Sequence, residues 1–323
     1  MPGGRERELR RRIRSVQSTK KITKAMELIA ASRIAKAQQR ADAARPYSEK
    51  LTDVIRNLAA AGAGGGSPLL AERDEVGTVA YVVIAGDRGL CGAYNGNVIR
   101  AAERSMANQQ AQGRQTRLVT VGKKATGYFR FRGYDIDAHY EGFADQPSYD
   151  DAKAIAEFVV EQFEEGVYDL VELAYTQFLS VASQRVVVRR FVPLDPTLLE
   201  QAADGLTADY EFEPAPQQIL DRLLPRYAEA RLYAALLDGA ASFLASQQRA
   251  MKSATDNAEE LITKYSRAMN RARQDAITTE IMEIVGGAEA LRGGQSGRHD
   301  LLADDALLVD DILTDSLAAN SRR

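Results

Sequence analysis

One cysteine, two histidines and no tryptophan occur in 323 residues. The lone Cys91 excludes an intramolecular disulfide and fits a reducing compartment. His139 and His299 stand apart, with no cysteine or carboxylate at ligand spacing, so zinc binding and histidine-based catalysis find no support. No apolar run reaches the roughly 20 residues needed to span a bilayer. The start, Met1-Pro2-Gly3-Gly4-Arg5, has no apolar signal core. The expectation is a chain that does not itself cross a membrane, with a peripheral position at one left open. Neither a metal nor a cofactor is expected.

Glycine and proline are also scarce where it matters. Between Arg5 and Ala61 there is no glycine, and Pro46 is the only proline. That stretch is dense in Ala, Arg, Lys, Gln and Glu, all good helix formers. Apolar residues recur at helical spacing: Leu9, Ile13, Val16, then Ile22, Met26, Ile29, and later Leu51, Ile55, Leu58. One long helix is expected over 1–61, with Pro46 as a point where it could kink. Residues 62–75, opening on a glycine run and Pro68, read as a flexible loop.

Residues 76–195 follow a different pattern. Runs rich in β-branched residues at Val79–Ala85, Leu118–Val121, Leu170–Tyr175 and Arg185–Val192 alternate with helical patterns near Asn97–Gln112, Lys123–Phe131 and Tyr149–Glu164. Alternation of this kind specifies a Rossmann-like α/β domain with a largely parallel sheet. A polar, proline-marked connector occupies 196–215. Residues 216–291 then form a second long helix. Along it Leu237, Ala241, Leu244, Gln248, Met251, Thr255, Ala258, Ile262, Tyr265, Met269, Ala272 and Ala276 keep a 3.5-residue period for about six heptads. Each long helix outreaches the small domain between them. They should therefore leave it on the same side and pair as an antiparallel coiled coil. The fold class is α+β/α, with that coiled coil added to the central domain. A slim rod exposing Ala, Met and Ile is poorly suited to water and belongs inside a partner.

Formal net charge is -3, but its distribution is uneven. The first sixty residues are basic, whereas Asp300, Asp304, Asp305, Asp310, Asp311 and Asp315 crowd the other end. Basic residues of the first helix are mixed with Ile, Met and Ala all round it, which favours a solvated or protein-facing surface over nucleic-acid binding. Residues 292–323 are read as an acidic extension in which Leu302, Ala306, Val309, Leu313 and Leu317 make an apolar stripe.

Gly86-Asp87-Arg88-Gly89-Leu90-Cys91-Gly92 follows a strand and precedes a helix, the usual place of a phosphate-cradling loop. The spacing fails. A dinucleotide fingerprint needs glycine where Arg88 stands, and a P-loop needs Lys and Ser or Thr where Ala93-Tyr94 follow. A glycine turn whose Asp87 and Arg88 hold neighbouring structure is favoured, with Cys91 as a buried packing residue. Near the end of the second helix, Arg273, Ile277, Glu280 and Ile284 fall close to one face. By pattern alone this is an ordinary solvated surface.

Four segments together carry a resemblance. Arg12-Ile13-Arg14-Ser15-Val16 with Lys21-Ile22-Thr23-Lys24-Ala25-Met26-Glu27, then Asp87-Arg88-Gly89-Leu90-Cys91-Gly92, then Met251-Lys252-x-Ala254-Thr255-Asp256-Asn257-Ala258, and finally Ile277-Thr278-x-Glu280-x-x-Glu283-x-x-x-Gly287-Ala288-x-Ala290 are similar to ATP synthase gamma subunits, in the same order. The resemblance implies a non-catalytic rotor shaft, enclosed by a ring of three alpha and three beta subunits. Its α/β domain would touch the epsilon subunit and the membrane c-ring, on the cytoplasmic face of a bacterial cell membrane. It also implies beta-subunit contacts at Met26, Arg273, Gln274, Thr278, Glu280 and Glu283. A family arginine four residues before Met251 is here Gln247, with Arg249 nearby. Two rivals carry less: a Rossmann-type enzyme with coiled-coil arms lacks the phosphate fingerprint, and a basic coiled-coil nucleic-acid binder leaves the Thr278–Ala288 segment unexplained.

Overall fold

A computed structural model describes residues 3–61, 63, 67–73, 75–195 and 212–295. The acidic extension beyond 295, the connector up to 211 and part of the glycine loop lie outside the described residues. In chain order the elements are α1 (Gly3–Ala60), β1 (Thr78–Ile84), α2 (Tyr94–Ala111), β2 (Gln115–Val121), α3 (Lys123–Phe131), β3 (Ala138–Tyr140), α4 (Tyr149–Glu164), β4 (Leu170–Phe178), β5 (Gln184–Val192) and α5 (Pro216–Gln295). Two units result: Ser18–Glu259, and the ends Met1–Gln17 with Glu260–Arg323.

The larger unit holds one five-stranded sheet in the order β3-β2-β1-β4-β5. Four strands are parallel, and β5 runs antiparallel to β4. The reversal follows from chain length: residues 179–183 are too few for the crossover that a parallel partner requires. Ser180 and Ser183 close that turn through their own backbone bonds. The three-residue β3, absent from the sequence reading, is too short to leave a periodic signature.

Strand residues alternate between two cores. Val79, Tyr81, Val83, Leu118 and Ala174 face α2 and α3, meeting Val98, Ala102, Met106, Ala125 and Phe129. On the other face Ala80, Val82, Ile84, Val119, Val171 and Leu173 meet α4 through Ile155, Val159 and Phe163. The same core takes in Leu51, Ile55 and Leu58 of α1 and Leu220, Leu224 and Leu232 of α5. The long helices thus cover the sheet with their inner ends as well as pairing with each other. Their start and stop signals are local. At α4, Ser148 accepts from the Asp151 amide while the Asp151 carboxylate accepts from the Ser148 amide at 2.8 Å, a reciprocal cap. Gly122, at φ 93°, starts α3 where any Cβ would lie 2.3 Å from the Ala85 carbonyl oxygen, so only glycine fits.

In the larger unit α1 and α5 are antiparallel. Lys20 pairs with Glu259 at 3.1 Å, Thr23 meets Thr255 at 2.8 Å, and Ile34 packs with Ala241, Leu244 and Ala245. Positions rise along one helix as they fall along the other. On α5 the covered residues follow the 3.5-residue series from Leu237 to Ala276 expected from sequence. On α1 the buried residues Ile13, Thr23, Ala30, Ile34, Ala37, Leu51, Ile55 and Leu58 obey a strict seven-residue repeat. Val16, Lys20, Glu27, Ala41, Ala44 and Ser48 fill the remaining seam positions half-buried. Ile22 and Ile29, which the sequence places on the stripe, are instead 58% and 52% exposed. Thr23 and Ala30 occupy the contact, because small side chains let the helices approach closely.

The Thr23–Thr255 contact ties the seam at a position with no large apolar side chain. One hydroxyl donates across to the other, and the hydroxyl that accepts it donates in turn to a carbonyl of its own helix, Lys20 on α1 or Met251 on α5. Replacing either threonine by valine costs about 1 kcal/mol. The double replacement costs less than the two added together, because no hydroxyl is then left facing a methyl group. Denaturant unfolding of the four proteins of this cycle measures both quantities.

Candidate coupling surface

The loop after β1 is occupied by the chain's own groups. The Asp87 carboxylate accepts from the backbone amides of Lys123 at 3.0 Å, Gly142 at 3.1 Å and Ala144 at 3.0 Å. Arg88 pairs with Asp145 at 3.3 Å. The N-terminus of α3, which favours negative charge, thus receives the chain's own Asp87 carboxylate. Gly86 lets β1 lie against α5: a Cβ there would come 3.0 Å from the Phe243 ring. Cys91 is buried among Ile34, Tyr94 and Phe243, accepts from the Asn95 side-chain amide at 3.2 Å, and has its thiol pushed up by burial. A thiol held protonated is a weak nucleophile. Arg249 donates to the Ala182 carbonyl at 2.9 Å and to the Gln184 side chain, fastening α5 to the β4–β5 turn. The arginine displaced two positions from Gln247 thus has a structural task.

In the unit formed by the chain ends, Arg12 pairs with Glu8 one turn away on α1 at 2.6 Å. Ile262, Tyr265, Met269, Ala272 and Ala276 are half-buried along the seam, after which every α5 residue from Ile277 to Arg292 is exposed. Here α5 continues without α1 to cover it. Large apolar side chains stand open on this segment: Ile277 49%, Ile281 54%, Met282 68%, Ile284 71%, Val285 52% and Leu291 76%. At about 100° per residue they spread over roughly half the helix circumference. That is far wider than a coiled-coil seam, and it is a costly surface to leave in water.

The polar residues singled out from sequence border this apolar ridge. Arg273 and Glu280 share a face with Ile277 and Ile284, and Gln274 and Thr278 lie with Ile281 about 100° round the helix. Glu283 lies on the opposite flank, in line with Ala276 and the seam. All five are exposed. Met26 belongs to the other unit, half-buried on one face with Ile22 and Ile29, which are exposed by 58% and 52%. The structure thus brings five of the six residues together on one helix end and leaves Met26 on a separate apolar patch. Sequence reasoning missed Ile281, Met282 and Val285 on the ridge. Extending the heptad through Thr23 and Ala30 would have shown Ile22 and Ile29 to be off the seam.

Comparisons with known proteins agree with one another. The family profile described as ATP synthase matches residues 5–291. The ATP synthase gamma chain of Frankia casuarinae is 52% identical over 296 residues, covering 90% of this chain and 99% of that one. The gamma chain of Mycolicibacterium smegmatis is 46% identical over 303 residues, covering 90% and 98%. Among solved structures, a chain of the Euglena gracilis mitochondrial ATP synthase aligns with TM-score 0.62 at 18% identity, over 94% of this chain and 99% of that one. A chain from the central stalk and c-ring of the Tetrahymena thermophila mitochondrial enzyme aligns with TM-score 0.55 at 24% identity, over 72% and 99%. No helix among the described residues is long and apolar enough to cross a membrane. With the profile spanning nearly all of the described chain and relatives about half identical to it, the chain belongs to the ATP synthase gamma chain family.

Proposed function

We propose that this chain is the central rotor shaft of an F-type ATP synthase, a non-catalytic subunit that couples ion flow through a membrane c-ring to ATP synthesis or hydrolysis on beta subunits. The observation that carries the reading is the uncovered end of α5, where six large apolar side chains spread over about half of a helix that nothing else in the described chain covers. Such a tip calls for a sleeve, and a ring of three alpha and three beta subunits supplies one. The α/β domain would serve as the foot, in contact with epsilon and the c-ring on the cytoplasmic face of a bacterial membrane.

Coupling by rotation needs a surface whose contacts differ with angle, because a rotor that touches every beta subunit alike shifts no equilibrium. The α5 tip has that asymmetry: an apolar half, a border carrying Arg273 and Glu280, and a flank carrying Glu283. Gln274 and Thr278 would add hydrogen bonds to some orientations and not others. Met26, with Ile22 and Ile29, would offer a second, mostly apolar contact. Tagged chain expressed with the other subunits should recover alpha and beta in a 3:3:1 ratio to itself; recovery of the chain alone, with alpha and beta assembled without it, contradicts the assignment.

A further inference from the structure

A cavity of about 570 Å³ opens on the larger unit between α1, the start of α4, and α5. It exists because the seam there is built from the smallest side chains. Ala41, Ala44 and Ser48 of α1 face Ala230 and Ala234 of α5, and between paired helices such residues leave room that leucines would fill. The volume falls within the range of small-molecule sites.

Its walls are aromatic. The rings of Tyr149 and Tyr233 stand 5.7 Å apart at 74°, making a corner of two nearly perpendicular π-faces. Tyr47, 49% exposed, adds a third ring to the lining. The charges around these rings are mainly negative. Glu49 and Asp238 line the cavity with one cation, Arg226. Behind the aromatic corner the buried Glu229 carboxylate accepts from the Tyr149 hydroxyl at 2.6 Å. Burial and that bond push the Tyr149 phenol upward, so the ring remains neutral across the physiological range.

We propose that this cavity binds a small organic cation, an ammonium whose apolar body rests on the alanines and whose charge lies against the tyrosine faces. Perpendicular aromatic rings attract a cation through their quadrupoles, and the attraction strengthens as water is excluded. An uncharged molecule of the same shape would gain only the contact with the apolar walls. Charge, rather than shape, should set the selectivity.

The test uses the full-length chain labelled with 13C in its alanine methyl groups, and two soluble isosteres as probes: choline, and 3,3-dimethylbutan-1-ol, in which carbon replaces the charged nitrogen. Choline is expected to shift the Ala44, Ala230 and Ala234 methyl signals with Kd about 1 mM. The neutral isostere should bind about tenfold more weakly. Tyr47→Ala, at a half-exposed position that folding does not depend on, should weaken choline about fivefold and leave the melting temperature unchanged. Equal affinity for the two probes, absence of methyl shifts with choline, or full binding by the Tyr47→Ala chain would each overturn the proposal.

Discussion

Replacing Arg273, Gln274 and Thr278 together by alanine is expected to lower ATP synthesis by the reconstituted complex about tenfold, while the isolated chain keeps its stability. Both halves follow from the position of these residues. All three are exposed on α5 and make no part of the helix pair. Surface substitutions of this kind fall within about 0.5 kcal/mol, and alanine is the best helix former. In the assembly the same side chains would be pressed against beta subunits. Loss of even about 1.4 kcal/mol of orientation-dependent contact corresponds to tenfold in the coupled equilibrium. ATP-driven ion pumping and ATP synthesis in vesicles, measured beside thermal unfolding of the free chain, separate the two effects. Unchanged pumping and synthesis would remove these residues from the coupling surface.

Ala241→Asp should have the opposite profile. Ala241 is fully buried against Ile34, Phe243 and Leu244, where α5 meets both α1 and the loop after β1. An unpaired carboxylate there faces a desolvation cost of several kcal/mol. About 3–5 kcal/mol of lost stability is expected, or a melting temperature lower by roughly 10 °C. Ile281→Asp makes a comparable chemical change on the same helix at a side chain that is 54% exposed. It should leave the free chain within about 0.5 kcal/mol of the parent. Calorimetry on the two variants tests whether the seam ends where the burial pattern says it does. Equal destabilisation would mean that the α5 tip is packed in the free chain.

How much of this was legible beforehand depended on the kind of signal. The α5 seam was fully readable, because Leu237, Leu244, Met251 and Ile262 mark a period of 3.5 that the helix keeps when folded. On α1 the same rule misled. Its seam passes through Thr23, Ala30 and Ala37, which carry little hydropathy, while Ile22 and Ile29 drew the stripe one position aside. Close packing prefers the small side chain, and hydropathy rewards the large one. The parallel strands were visible as β-branched runs, yet nothing in Arg185–Val192 announced that this strand reverses; the length of the turn before it decides that. Asp87 was expected to hold neighbouring structure. That its carboxylate gathers amides from residues 123, 142 and 144 depends on contacts remote in sequence, which local pattern does not record. At the candidate site the motif located the polar residues. The breadth of the apolar ridge emerged only once burial distinguished covered residues from open ones.

The rotor account is tested most directly by watching the shaft turn. Phe131 is 88% exposed at the end of α3 and Cys91 is buried, so Phe131→Cys supplies a single reactive thiol on the α/β domain. With the beta subunits fixed to glass and a bead on that thiol, ATP should drive rotation in one direction, with three dwell positions per turn. Steady ATP hydrolysis under a bead that only jitters about one angle would contradict it.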